Sequence, residues 1–143
     1  MVPVVYFNVY SNQHSGTLPE NIKLENLWYF DVGRNYLSGT LPDSLGKNFR
    51  DLRHLHLDHN RFVGTIPLSY NMVGNGRLET LSINHNQLTG VVPGKRKMYN
   101  KLVQYTLQDN NFDAMEPEVC LSEIPFGEMV ELRYVPSLEE NYF

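Results

Sequence analysis

The feature that most constrains this sequence is a motif that recurs five times at nearly constant intervals. The string Ser-Gly-Thr-Leu-Pro stands at 15–19 and again at 38–42, and related strings follow at 63–67 and 89–93. An asparagine precedes the glycine of each string by four residues, and a fifth asparagine keeps the interval: Asn12, Asn35, Asn60, Asn86 and Asn110. A period of this length is typical of solenoids, in which each repeat is one supersecondary unit. The chain is therefore expected to fold as a stack of similar coils.

Apolar residues keep fixed positions upstream of each asparagine, at three, five and eight residues before it. In the second copy these residues are Leu27, Phe30 and Val32. The last two positions alternate with polar residues, as in a short half-buried strand. A sixth set at 129–134 follows without an asparagine, because Ser137 holds that place. We therefore predict one short strand per coil, with successive strands stacked into a parallel sheet.

The complete pattern, L-x-x-L-x-L-x-x-N-x-L-x-G-x-[LIV]-P, resembles the leucine-rich repeat, and its Gly-x-x-Pro ending is typical of the plant-type subclass. The resemblance implies an α/β leucine-rich-repeat solenoid. This solenoid would be right-handed, with a curved parallel β-sheet on the concave face and short helical turns and loops on the convex face. One domain, 1–143, is expected, with coils at about 4–26, 27–51, 52–77, 78–101 and 102–128, a degenerate sixth coil at 129–137 and a tail at 138–143.

The five asparagines are expected to be structural. Each follows a strand, where its amide can donate to and accept from backbone groups that have left the ladder. The glycine of each copy lets the chain bend back, and the proline fixes the start of the segment on the convex side. We therefore predict a structural ladder of asparagines and look for function at the variable positions.

Those variable positions are expected on the exposed concave face of the sheet. The first two coils place aromatic residues there, and the third places two histidines and an aspartate. Large aromatic residues together with arginine are enriched at the centres of protein interfaces. The predicted ligand-binding residues are Tyr6, Tyr10, Trp28, Tyr29, Asp31, Arg34, His54, His56 and Asp58.

The two histidines permit three interpretations. His54 and His56 lie two apart on one predicted strand, and Asp31 is expected one strand away, so the three residues have the types that bind zinc. Side chains on an open sheet stand parallel and do not converge, and we therefore predict no metal and no cofactor. A solvated polar face and pH-dependent binding both stay open.

Catalysis and several partner classes are disfavoured. The chain has no Gly-x-Ser-x-Gly, phosphate-loop or His-Glu-x-x-His string, so we predict that it is not an enzyme. Its 12 Lys+Arg against 16 Asp+Glu give a net charge of −4, which argues against nucleic acid as a partner. No apolar run approaches the roughly 20 residues of a membrane span, so no direct membrane contact is expected from this segment. The single cysteine, Cys120, allows no disulfide within the chain.

The resemblance implies a protein or peptide ligand, as in receptor-like kinases, receptor-like proteins and algal proteins of this family. The alternative from the same resemblance is a secreted inhibitor of a cell-wall-degrading enzyme. Either implies an extracellular or cell-surface location, and the cytoplasm stays open. The sequence begins inside a repeat, so we also expect a piece of a longer array, with possible edge-to-edge self-association of its first strand. Cys120 lacks the second cysteine that commonly follows in such arrays.

Overall fold

The computed structural model describes residues 3–70, 77–92, 102 and 104–115. Within these ranges each strand is short and one helix has six residues. The elements in chain order are β1 (Tyr6–Asn8), β2 (Ser15–Thr17), β3 (Tyr29–Asp31), β4 (Tyr36–Thr40), α1 (Asp43–Asn48), β5 (His54–His56), β6 (Arg61–Gly64), β7 (Thr80–Ser82), β8 (Gln87–Val92), β9 (Gln104–Thr106) and β10 (Asn111–Met115). The predicted sixth coil, the tail and Cys120 lie outside the described residues.

The odd-numbered strands form a five-stranded parallel sheet in the order β1-β3-β5-β7-β9. Its register follows the repeat, with Phe7 opposite Phe30, Phe30 opposite Leu55, and Leu55 opposite Leu81. The middle residue of each of these strands points inward. The first and third residues point to the other face of the sheet. The predicted parallel solenoid is therefore confirmed, as is the single strand per coil on its concave side.

The even-numbered strands form a second parallel sheet, in the order β10-β8-β6-β4-β2, which the sequence pattern did not predict. Four of its strands contain a glycine with a left-handed backbone, Gly16, Gly39, Gly64 and Gly90, with φ of 91°, 79°, 79° and 78°. A β-carbon at Gly39 would lie 2.8 Å from the methyl carbon of Thr17 in the preceding coil. The repeat glycine therefore provides the positive φ and also the space into which a neighbouring threonine packs.

Helical structure is sparse in the described part of the chain. It consists of α1 and a 3₁₀ turn at 68–70, and each follows a repeat proline, Pro42 or Pro67. Proline tolerates the first turn of a helix because the missing N–H would have no helical partner there. The expected helical turns are thus present, while much of the rest of each described repeat is extended.

From the second coil onward, the predicted asparagine ladder joins each coil to the coil before it. The Asn60 side chain donates to Val32 O at 2.9 Å in the preceding coil and to Leu57 O and Asp58 O of its own coil. Its oxygen accepts the backbone N–H of Leu37 at 3.0 Å. The equivalent bonds recur at Asn35, Asn86 and Asn110. These amides therefore satisfy backbone groups that the two sheets leave unpaired.

The core lies between the sheets and the segments that connect them. Leu27, Leu55, Leu81 and Leu88 are completely buried in it. The first coil is different, because its Phe7 stacks on Phe30 at 5.3 Å but stays 36% exposed. Burial of the apolar face is thus produced by stacking, and among the described strands those of the first coil have a neighbour on one side only.

Candidate functional site

The concave sheet presents its variable side chains in columns. The first residues of the strands are in register, with Tyr6 opposite Tyr29 and Tyr29 opposite His54. The third residues align in the same way, with Asp31 opposite His56. The columns predicted from the repeat period are therefore the columns of the structure, and they bring the first three coils together as one surface.

Six side chains form a contiguous group that we name the aromatic cluster: Tyr6, Trp28, Tyr29, His54, His56 and Asp31. Tyr6 and Tyr29 stack with ring centroids 4.5 Å apart and planes 12° apart. Trp28 lies 6.0 Å from both rings and 5.9 Å from His54. Tyr6 is 50% exposed and Trp28 is 41% exposed. The cluster is therefore a broad, solvent-exposed aromatic surface whose rings pack against one another.

Asp31 was predicted to be exposed and is instead buried beneath this cluster, with 6% of its side chain accessible. Its Oδ2 accepts the Tyr29 hydroxyl at 3.1 Å and lies 3.4 Å from His56 Nδ1. Its Oδ1 accepts the backbone N–H of Gly33 at 2.9 Å. The short aspartate side chain lies below the longer rings of the adjoining rows, which explains why the expectation of exposure was wrong.

These contacts also set the ionisation of the cluster. Burial acts to raise the pKa of Asp31, but the hydrogen bonds from His56 and Gly33 outweigh it, and the pKa is lowered from 3.8. Burial and the Asp31 charge raise the pKa of Tyr29 to about 12. At neutral pH the aspartate is therefore a fixed anion, and the tyrosine keeps the proton that it donates to it.

The two histidines share a hydrogen-bond partner that the sequence analysis did not identify. Thr80 Oγ1 lies 3.0 Å from His54 Nδ1 and 2.9 Å from His56 Nε2. Burial lowers the pKa of His54, and the nearby Glu79 carboxylate opposes that effect. The signal for Thr80 was its place in the outward column beside His54. The histidines are thus held in position by the next coil, where both bond to the same Thr80 hydroxyl group.

The other predicted site residues lie beside the aromatic cluster. Asp58 Oδ2 is 2.9 Å from His59 Nδ1. Tyr10 faces the position where Gly33 lacks a side chain, and a β-carbon there would lie 3.2 Å from the Tyr10 ring and 3.0 Å from Asp58 Oδ1. Gly33 therefore lies at a point of its column where the neighbouring side chains leave little room for a larger residue. Tyr10 and Asp58 extend the surface toward the turn.

Arg34 belongs to a row of turn residues with an unusual backbone. It has φ of 52°, and the residue before the asparagine in the other coils is also left-handed: Ser11, His59, His85 and Asp109, with φ between 51° and 57°. None of them is glycine, so their residue types do not predict a left-handed backbone. Their shared position directly before the repeat asparagine is the feature that could have predicted it. The rings of His59 and His85 are in contact in this row, with centroids 4.1 Å apart and planes tilted by 35°. Arg34 is therefore an exposed charge at the turn edge of the surface.

The described residues contain no group of three or more histidine, cysteine, aspartate or glutamate side chains able to hold a metal. Within the same ranges no helix has the length and apolar character to cross a membrane. What the site offers chemically is an aromatic surface, a buried anion and two histidines on a parallel sheet. These groups are suited to contact a ligand over a broad area.

Comparison with known proteins places this geometry among related molecules. The family model described as Leucine Rich Repeat matches residues 26–48, 51–72 and 77–95. No curated protein matches the chain. The crystal structure of PEPR1–AtPEP1 is 31% identical over 75% of this chain and 15% of that chain, with a TM-score of 0.67.

Two further crystal structures come from Arabidopsis. The receptor kinase HAESA, in complex with the peptide hormone IDA and the co-receptor SERK1, is 28% identical over 85% of this chain and 20% of that chain, with a TM-score of 0.74. The BIR3–SERK2 complex of Arabidopsis thaliana is 28% identical over 74% of this chain and 56% of that chain, with a TM-score of 0.68. This chain thus spans less than two thirds of each of these neighbours.

Proposed function

This chain belongs to the leucine-rich repeat family, in its plant-type form, and from that premise we propose that it is a non-catalytic module that recognises a protein or peptide through its concave face. The observation that carries this proposal is the aromatic cluster, whose Tyr6 and Trp28 rings stay about half exposed while packed against Tyr29. Large rigid aromatic side chains provide contact area at a low entropic cost, and such residues dominate the binding energy of many interfaces.

The anchoring of the cluster supports this proposal. Tyr29 is fixed through its hydroxyl to the buried Asp31, and His54 and His56 are fixed through Thr80. A ligand that contacts side chains already held in place does not have to immobilise them on binding, so more of the interaction energy remains as affinity. The cluster is therefore suited to act as the centre of a preorganised interface.

The related structures support the same class of function. HAESA is in complex with a peptide hormone and a co-receptor, and PEPR1 is in complex with AtPEP1. We propose by analogy that this chain also has a peptide or protein ligand and acts outside the cell or at its surface. The surface around Tyr10, Arg34 and Asp58 would then contact the periphery of the ligand, where charged groups improve specificity more than affinity.

The experiment is selection from a random peptide library on the immobilised chain, followed by affinity measurements on the selected peptides. Trp28→Ala should weaken binding by about 2 kcal/mol, which is roughly 30-fold. Gln104→Ala is the matched control, because Gln104 is exposed in the same column as Tyr29 but lies at the far end of the sheet. Its affinity should equal that of the wild type.

Thermal unfolding of the Gln104→Ala variant should match the wild type, since that side chain is exposed. Trp28→Ala should lower the unfolding temperature slightly, because it removes ring contacts with Tyr6, Tyr29 and His54. Selected peptides that bind the Trp28→Ala variant and the wild type equally would show that the aromatic cluster is not the binding centre. Peptides that lose affinity for the Gln104→Ala variant alone would place the centre in the last coils instead.

A further inference from the structure

The second sheet has an outer face that the concave-face proposal does not use. In β4, β6, β8 and β10 buried residues alternate with outward-facing ones, whereas all three residues of β2 are exposed. We name this surface the outer face of the second sheet, and it consists of Ser15, Thr17, Tyr36, Ser38, Thr40, Arg61, Val63, Gln87, Thr89, Val91, Asn111 and Asp113. Its exposed apolar members are Tyr36, Val63 and Val91, at 49%, 38% and 50%. Most of the others are short, so the face is suited to close packing against a second sheet.

The hydroxyl groups on this face are partly satisfied within the chain. Ser38 Oγ donates to Gly16 O, and Thr89 Oγ1 donates to Gly64 O, each at 3.4 Å across to the preceding coil. Polar groups that already have a hydrogen-bond partner can be buried at a lower cost than groups that lose water without replacement. Burying this face should therefore cost less free energy than its residue types alone indicate.

Two charged residues of opposite sign lie on this face. Arg61 is in β6 and stands 5.0 Å from the ring centre of Tyr36. Asp113 is in β10, two strands further along the sheet, and accepts the backbone N–H of Gly90. If the two-fold axis of a homodimer passes midway between these two residues, near β8, Arg61 of one copy faces Asp113 of the other and the reverse, because a two-fold interface pairs residue i with j and j with i.

From this arrangement we propose that the outer face of the second sheet is a dimer interface that takes a second copy of this chain. Val63 and Val91 form the apolar part of the contact, and Arg61 and Asp113 form two symmetry-related ion pairs that fix its register. The pairing leaves the concave aromatic cluster of each copy accessible. The interface is therefore separate from the proposed ligand site and independent of it.

The test uses complementary charge reversal, measured by sedimentation equilibrium. The wild-type chain should be a reversible dimer whose dissociation constant rises with salt concentration. Arg61→Glu and Asp113→Arg should each weaken the homodimer at least 10-fold, because each places like charges opposite one another. An equimolar mixture of the two variants should recover dimers, since both pairs are then of opposite charge. Gln104→Glu, on the concave sheet, is the control and should leave the dimer unchanged.

Asp113 also accepts a backbone hydrogen bond, so its variant needs an independent check on the interface. Val63→Lys provides one, because it adds a charge to the apolar part of the face without removing a side-chain hydrogen bond. It should give monomers whose unfolding temperature equals that of the wild type at concentrations where the wild type is also monomeric. A monomeric wild type would overturn the proposal. So would a dimer that survives both charge reversals, because such a dimer would form through another surface, for example the β1 edge.

Discussion

At the scale of single residues, each buried asparagine acts as a bond between neighbouring coils. Asn60 makes three donor contacts and one acceptor contact with the backbone and is 9% exposed. Asn12 holds the same place in the first coil, but among the described residues its side chain donates only to Val9 O and Tyr10 O of its own coil, and it is exposed. The same residue type at the same repeat position therefore has two different energetic roles.

We expect Asn60→Ala to lower the free energy of unfolding by roughly 2–3 kcal/mol, because buried backbone groups in two coils lose their partner. Asn12→Ala is the matched control and should cost less than about 1 kcal/mol, since water can replace its bonds. Urea denaturation of both variants measures the difference. Equal losses would mean that the bonds between coils contribute nothing beyond those within a coil.

A second prediction at this scale concerns the acid dependence of stability. The pKa of Asp31 is lower in the folded chain than its ordinary value of 3.8, so the folded state favours the ionised form. Asp31 therefore stabilises the fold above about pH 3.8, and this contribution is lost as pH falls through the lowered folded pKa. Asp31→Asn should be less stable than the wild type by roughly 1–2 kcal/mol at pH 7, with the gap narrowing below pH 3.8.

The measurement is urea denaturation of the wild type and the Asp31→Asn variant at a series of pH values. If the stability curves of the two proteins stay parallel down to pH 2, the prediction that the fold lowers the pKa of Asp31 is wrong. Such a result would mean that the hydrogen bonds from Tyr29, Gly33 and His56 do not favour the ionised carboxylate.

At the scale of elements, α1 packs so closely on the next coil that one of its residues has no room for a side chain. A β-carbon at Gly46 would lie 2.3 Å from both the carbonyl carbon and the oxygen of Ser69. Ser69 also donates through Oγ to Asp43 O at 3.0 Å. The contact between α1 and the segment after Pro67 therefore sets the distance between two coils on the side away from the concave sheet.

Gly46→Ala is expected to destabilise the chain by roughly 1–3 kcal/mol through overpacking. Helix propensity alone predicts the opposite, a gain of roughly 0.5–1 kcal/mol for alanine over glycine. Lys47→Ala in the same helix is the control and should change stability by less than about 0.5 kcal/mol, because its ion pair with Asp43 is exposed. A thermal unfolding temperature that rises in the Gly46→Ala variant would show that Ser69 can move aside.

The elements also show what the sequence could predict and what it could not. The columns of the concave sheet followed directly from the repeat, because a fixed period fixes the strand register, as in Tyr29 opposite His54. The burial of Asp31 did not follow, because it depends on the lengths of side chains in adjacent rows. The second sheet was missed because its strands contain glycines such as Gly39, a residue that usually weakens a strand. That glycine is required by its backbone angle and by the Thr17 methyl.

At the scale of the whole molecule, the stack has one edge that the described strands leave unpaired. β1 pairs only with β3, and β2 pairs only with β4. Val4 and Phe7 beside that edge are 50% and 36% exposed. An open strand edge with apolar neighbours is a site at which another strand can add.

We propose that this edge is the least protected part of the sheet. In the isolated chain, the amides of residues 4–12 should exchange with solvent much faster than those of β5, whose neighbours lie on both sides. Hydrogen exchange followed by mass spectrometry measures this gradient, with β5 as the internal control. Slow exchange in residues 4–12 at protein concentrations where the chain is monomeric would contradict the proposal. Slow exchange that appears only on self-association would identify the edge as a contact between copies.

The parallel register of the concave sheet has a consequence for any extended ligand that crosses it. Strands in a sheet repeat about every 4.8 Å, whereas side chains on one side of an extended peptide repeat about every 6.8 Å. Because the two spacings differ, a peptide side chain that lies over one strand is followed by another such coincidence only after about seven strands. The described sheet has five strands. The side chains of a peptide that crosses these strands can therefore align with a strand at one point only. A shift of the peptide by one strand spacing would lose that alignment, although the scaffold itself is repetitive.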